Sequence, residues 1–456
     1  MEKTIEQNKM GYAKILPLIL SMAVPSMFSM TVQALYNVVD SIFVGNLIEN
    51  GALALEATSY AYPLQMLLIS VAVGTSVGTN SLISRRLGAG NQKEADSAAT
   101  HGIVLGIFSW IVFLILGLFF SGPFLSLYGC DEITYKYGVD YLSVVLSGSL
   151  FVLIEISIEK SLQGTGDMIF PMLFQLSGAI TNIILDPLLI AGIGPFPKLE
   201  VMGAAVATVI GELVSAIFAV LVLFLRKNRI HVTFRNFKLN FTTIKNIYAV
   251  GLPSIAMQSI GSFMMFGLNA ILSAYDAAVT VFGVYFKLQS FVFMPCFGLN
   301  QGVLPIMGYN YGAKNKGRLL GTMRWGMVIA FLIMLIGTIL FWTIPDVLLG
   351  LFNGDKALIA TGVPAFRIIS LCFIPASLGI VFISLFQATG KGVRALIISF
   401  TRQLVFILPV AYLLSYIFNS SDYVWFAFPI AEIASLVLAF AFYINLKNKD
   451  FKKLDN

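Results

Sequence analysis

The chain has 456 residues, 58% of them hydrophobic and 11% charged, with a mean hydropathy of +0.86. A soluble domain carries about 25% charged residues, so a water-soluble globular fold is excluded and a polytopic membrane protein is expected. The net charge of +6 lies in the loops and speaks to topology, not to nucleic acid. Cys130, Cys296 and Cys372 show no CxxC or metal-ligand spacing, and His101 and His231 are the only histidines. No disulfide framework or metal site is implied, and hydrolytic centres built on His lack parts.

Apolar runs long enough to cross a bilayer, roughly 20 residues each, are predicted at about 14–43, 54–84, 97–121, 134–162, 168–193, 201–225, 248–274, 278–303, 319–343, 361–387, 394–418 and 422–446. The first reads as a span, since no small-residue cleavage site follows it. Twelve spans put both termini on one side of the membrane. Loops on that side hold most of the Lys and Arg, whereas the other side has Lys136, Lys198 and Lys356. The positive-inside rule then predicts cytoplasmic termini on a multi-pass plasma-membrane protein.

The longest basic segment, RKNRIHVTFRNFKLNFTTIK at 226–245, separates two halves, taken as an N-lobe of residues 1–229 and a C-lobe of residues 230–456. The halves resemble each other. SRRLGAGN near 84–91 matches YNYGAKNK near 309–316, and LQGTGD at 162–167 matches FQATGK at 386–391, both at an offset of 224. AVPS at 23–26 matches GLPS at 251–254 at an offset of 228. An even number of spans per half makes the repeats parallel, a transporter arrangement that handles substrate between the halves. The expected fold is an all-α membrane protein of twelve helices in two six-helix lobes.

Intramembrane charge breaks this symmetry. The first half has Asp40, Glu155, Glu159, Asp186 and Glu212 against Lys160, and the second has Lys287, Arg367 and Arg402 against Glu432. A charged group at membrane depth is costly and functional by default. A cation site therefore belongs to the first half. In TNIILDP at 181–187, Asn182 and Asp186 share one helix face, and Pro187 frees the carbonyl of Ile183 and favours a kink. Asp40 is at similar depth in the first span. If the two carboxylates are close, they cannot both ionise cheaply, and the pair suits a proton or a shared sodium ion. Asn182 and Thr208 add neutral oxygens, and Pro25 offers a bend in the first span.

The remaining polar residues have competing readings. Tyr36 donates to Asp40 or simply packs. Glu155 and Glu159 pair with Lys160 or a loop base, or form an inner relay. Glu212 makes a buried hydrogen bond or joins the cation site. Lys287, Arg367 and Arg402 tie helices together or snorkel, or bind substrate. Some Phe and Met residues line a cavity, where Met suits a promiscuous apolar site. His101 and His231, near the surface, are expected to have no functional role.

YNVVDSIFVG at 36–45, LISRRLGAGN at 82–91, LQGTGD at 162–167 and the pattern from Asn182 to Pro187 together resemble the multidrug and toxic compound extrusion (MATE) family over nearly the whole chain. Within it the chain is similar to the DinF and MepA-like branch. The NorM-type branch has acids in spans 7 and 10, where PSIAMQSIGSFMMF and FIPASLGIVFISLF have none. The resemblance implies export of organic, mostly cationic compounds, driven by inward sodium or proton flow, with no other cofactor and no enzymatic activity. It puts Asp40, Asn182, Asp186 and Thr208 on the cation-site positions. A monomer is expected. The alternatives are a lipid-linked oligosaccharide flippase of the same superfamily, for which Lys287, Arg367 and Arg402 speak, a membrane-embedded transferase, and a passive channel.

Overall fold

The computed structural model describes residues 8–235, 237–275, 277–351 and 356–454. Lys3 and the side chains of Lys356 and Lys453, which entered the loop-charge reading, lie outside the described residues.

Apolar sequence in hydrocarbon must satisfy its backbone polar groups within the segment, which favours long helices. In chain order these are α1 (Ile15–Leu47), α2 (Gly51–Gly88), α3 (Gln92–Ser126), α4 (Glu132–Gly148), α5 (Leu150–Gly164), α6 (Ile169–Ala191) and α7 (Val201–Leu225). The second half follows as α8 (Phe241–Leu272), α9 (Ala278–Gly312), α10 (Lys316–Thr343), α11 (Lys356–Ser370), α12 (Phe373–Ala388), α13 (Gly392–Phe418) and α14 (Ala427–Lys449). Among the described residues, ten helices are long and apolar enough to cross a membrane alone. Two bent pairs, α4–α5 at 46° and α11–α12 at 45°, raise the number to 12 if each pair is one span. Each predicted run has its helix or bent pair. Pro25 and Pro187 both lie inside unbroken helices.

The sequence repeat is also a repeat of backbone detail. Asn91 caps α3 by accepting from the Glu94 N–H at 3.2 Å, and Asn315 caps α10 by accepting from the Arg318 N–H at 3.1 Å. The residue before each cap, Gly90 or Lys314, is left-handed at φ 73° or 55°. Gly166 and Gly390 repeat this at φ 93° and 78°. Glycine adopts that conformation without steric cost, which explains three of the four residues.

Close contacts divide the chain into two compact units. The first comprises Phe28–Arg86 and Asn91–Ile255, and the second Met1–Met27, Leu87–Gly90 and Ala256–Asn456. The boundaries inside α1 and α8 are 228 residues apart, the offset of the AVPS and GLPS motifs, and each follows its motif's proline by two residues.

In the first unit, Val44, Leu68, Leu142, Leu146, Leu153, Ile190 and Val201 belong to one buried cluster. Helices α6 and α7 approach until backbones touch. A Cβ on Gly211 would stand 2.8 Å from the Gly178 carbonyl oxygen, so only glycine fits there. Small residues permit such contact between membrane helices. In the second unit, Tyr285 is buried among the rings of Phe282, Phe286, Phe341, Phe366, Phe373 and Phe428. A π-helical segment at Thr401–Ile407 interrupts α13 and packs on α14. Such segments often mark functional positions.

Candidate cation site

All members of the site lie in the first unit. Helix α1 supplies Tyr36 and Asp40, α6 supplies Asn182 and Asp186, and α7 supplies Thr208. Asn182 and Asp186 are one helical turn apart and buried, Asp186 with no exposed surface. The Asn182 Nδ2 donates to Thr208 Oγ1 at 3.2 Å, and the threonine hydroxyl donates to Ala204 O at 3.0 Å. The glycine contact between α6 and α7 is what lets these short side chains meet.

The Asp40 and Asp186 carboxyl groups come within hydrogen-bonding reach of each other. When both are ionised, Asp40 Oδ1 and both Asp186 oxygens are buried without a donor, and so is Asn182 Oδ1. A native interior leaves few polar atoms in that state, and each calls for an explanation. A shared proton supplies the missing donor directly. A sodium ion is an acceptable substitute, because hard cations take oxygen ligands and Asp40, Asn182, Asp186 and Thr208 are an all-oxygen set. Among the described residues, no group of three or more His, Cys, Asp and Glu is placed to hold a metal. Two carboxylates with neutral oxygens suit a proton or a monovalent cation.

The structure therefore brings together the four residues singled out from sequence. Tyr36 lies beside them, near Thr208, Asp40 and Asp186. Two neighbours were not anticipated. Tyr141 of α4 lies close to Asp40, Asp186 and Glu212, and its hydroxyl donates to Gln65 of α2 at 3.4 Å. Neither lies in one of the motifs that marked the site, and each reaches it only through packing between helices.

Glu159 is a separate matter. It pairs with Lys160 at 2.8 Å. Its two oxygens also accept from Gln163 at 2.6 Å and Gln175 at 3.1 Å, and Ser29 donates to Gln175. The paired reading applies to Glu159, which is saturated. Glu155 does not share that pairing: its Oε1 is buried without a donor, and it lies beside Ser215. The Oε2 of Glu212, one turn beyond Thr208, is likewise without a donor. Of the second-half bases, Arg402 is paired with Glu432 at 2.9 Å, while Lys287 and Arg367 are exposed. His101 has a structural task, accepting the Asn240 N–H at 2.9 Å and anchoring the segment before α8.

The family profile described as MatE matches residues 25–188 and 253–413, both halves of the chain. The chain belongs to the MATE family. It is a multi-pass membrane transporter of the multidrug export type, not an enzyme. It is 26% identical over 404 residues to the multidrug export protein MepA of Staphylococcus aureus, covering 88% of each chain. It is also 28% identical over 408 residues to an FAD transporter of Shewanella oneidensis, again covering 88% of each. A solved structure of an outward-facing multidrug resistance MATE transporter superposes with a TM-score of 0.91 at 26% identity, covering 100% of both chains. The MATE fold and its cation coupling thus extend to this protein.

Proposed function

We propose that this MATE protein exports organic, mostly cationic compounds by antiport with H⁺ or Na⁺, and that Asp40, Asn182, Asp186 and Thr208 form the coupling site. The observation that supports it most is the facing pair of Asp40 and Asp186 carboxyl groups, buried among oxygens that have no donor. Such a pair holds one positive charge at low cost and none at high cost. In this reading the basic loops keep both termini cytoplasmic, which turns the Asp40–Asp186 end of α1 and α6 outward. A cation entering from outside neutralises the pair, and the helices that hold it relax toward the state that releases drug. Coupling follows if cation and drug differ in affinity for the two states. Pro25 and Pro187 lie inside the two helices that carry the acids, where a proline favours bending as the charge state changes. An acidic lobe set against an aromatic wall would supply charge and cation–π contact to an organic cation.

The test is dye efflux from everted vesicles under an imposed proton gradient and, separately, a sodium gradient. Wild type is run beside Asp40→Asn and Asp186→Asn. Efflux driven by one ion and lost in both variants supports the site and names the ion. Unchanged efflux in either variant removes that residue from it. The flippase reading rests on Lys287, Arg367 and Arg402, and the engagement of Arg402 with Glu432 weakens it. FAD, the anionic substrate in one relative's name, belongs among the compounds assayed.

A further inference from the structure

The two halves can be aligned residue by residue through the motifs and caps that repeat at an offset of 224. Carried into the next helices, that offset sets Arg402 at the place of Gly178, Glu432 at the place of Thr208, and Ser435 at the place of Gly211. The helix pairs correspond as well: α6 packs on α7, and the π-helical part of α13 packs on α14. Where the first half has a glycine contact beside a carboxylate site, the second half has an ion pair. Arg402 Nη1 donates to Glu432 Oε1 at 2.9 Å, and the Ser435 hydroxyl lies 3.5 Å from Glu432 Oε2. The side chains are 21% and 9% exposed. Among the described residues, Tyr285 of α9 and Cys372, between α11 and α12, are the other titratable groups facing the pair. Neither brings a charge in its neutral form.

We propose that Arg402 is the second half's built-in counter-ion, a guanidinium covalently fixed at the level where the first half takes an exchangeable cation, and that it confines ion coupling to the first half. The proposal deepens the cation-coupling reading and rests on it. Its physical basis is that Arg stays protonated under all working conditions. Glu432 thus has a permanent partner, and neither a proton nor sodium gains by competing. Arg402 sits in the π-helical part of α13, a segment type often found at functional positions. In this reading Arg402 is a specificity-determining residue that sets the number of ions per cycle.

The experiment counts ions bound by purified protein in nanodiscs, by proton uptake after a pH jump and by titration with sodium chloride. Wild type, Arg402→Lys, Arg402→Gln and Arg402→Gln/Glu432→Gln are compared. The expected result is about one more proton or sodium ion per molecule in Arg402→Gln than in wild type, because a buried carboxylate stripped of its partner must be neutralised. The extra ion disappears in the double variant, and Arg402→Lys keeps the wild-type count. No extra ion in folded Arg402→Gln overturns the proposal. If Arg402→Gln does not fold, the double variant decides: coupled efflux at the wild-type ion-to-drug ratio supports the proposal, and a changed ratio overturns it. The first-half reading is tested separately by Asp40→Asn, whose loss of the ion that wild type binds does not depend on Arg402.

Discussion

The two halves share a motif pattern, helix caps and bends, yet treat buried charge in opposite ways. In the first, Asp40 and Asp186 face each other with oxygens that have no donor. In the second, Glu432 is bound to Arg402 at 2.9 Å. The difference teaches that a repeat preserves backbone geometry while a few side chains set how each copy treats buried charge. An unpaired carboxyl pair can change its charge state in use, and a paired one cannot do so cheaply. Glu159, held by Lys160 and Gln163, shows the same quiet chemistry inside the first half, so pairing rather than location distinguishes the groups.

The largest expected effect is loss of the Asp40–Asp186 pair. Asp186→Asn should reduce gradient-driven dye efflux to that of vesicles lacking the protein, with normal amounts in the membrane, whereas Glu432→Gln should leave residual gradient-driven efflux. Equal losses in both would erase the contrast. Next is stability. Arg402→Ala strands Glu432 and should cost about 3–5 kcal/mol, read as a lower midpoint in thermal unfolding in detergent. Arg402→Ala/Glu432→Leu should recover most of it, since an apolar pair replaces a buried ionic one at little cost. A third variant, Gly211→Val, pushes a side chain into the Gly178 carbonyl and should cost about 1–3 kcal/mol, with weaker ion coupling as α6 and α7 separate.

Smaller effects sharpen the comparison. Thr208→Val removes the acceptor of Asn182 and should cost about 0.5–1.5 kcal/mol, with a shift in the ion concentration that half-activates efflux. An acid of the first half outside the membrane serves as a control. Asp131 caps α4, accepting from the Thr134 hydroxyl at 2.7 Å and from the Ile133 and Thr134 N–H groups at 3.0 Å each. The Thr134 hydroxyl, first among these, holds its carboxyl below the usual carboxylate range. A lowered folded-state value adds stability at pH above the unfolded-state value, and that stability is lost as pH falls through the lower folded value. Asp131→Asn should therefore flatten the acid limb of the melting-temperature profile slightly, leaving efflux at neutral pH as it was. An effect on coupling would mean that this end of α4 belongs to the site after all.

Much of this protein could be read from the chain alone. The spans were legible because hydrocarbon tolerates few charges, so apolar runs and their interruptions map directly onto helices. The repeat was legible because the left-handed turns at Gly90, Gly166 and Gly390 need particular residues. Asn182 and Asp186 stood out because helical spacing alone puts them on one face. Three facts needed the tertiary structure. Asp40 is more than 140 residues from Asp186 in sequence, and only packing brings the two carboxyls into contact. Tyr141 meets Gln65 for the same reason. Arg402, one of three bases that sequence could not separate, is singled out by Glu432 on another helix. Helical periodicity constrains neighbours within a turn, whereas contact between helices depends on how closely backbones approach, and between α6 and α7 that was decided by glycines.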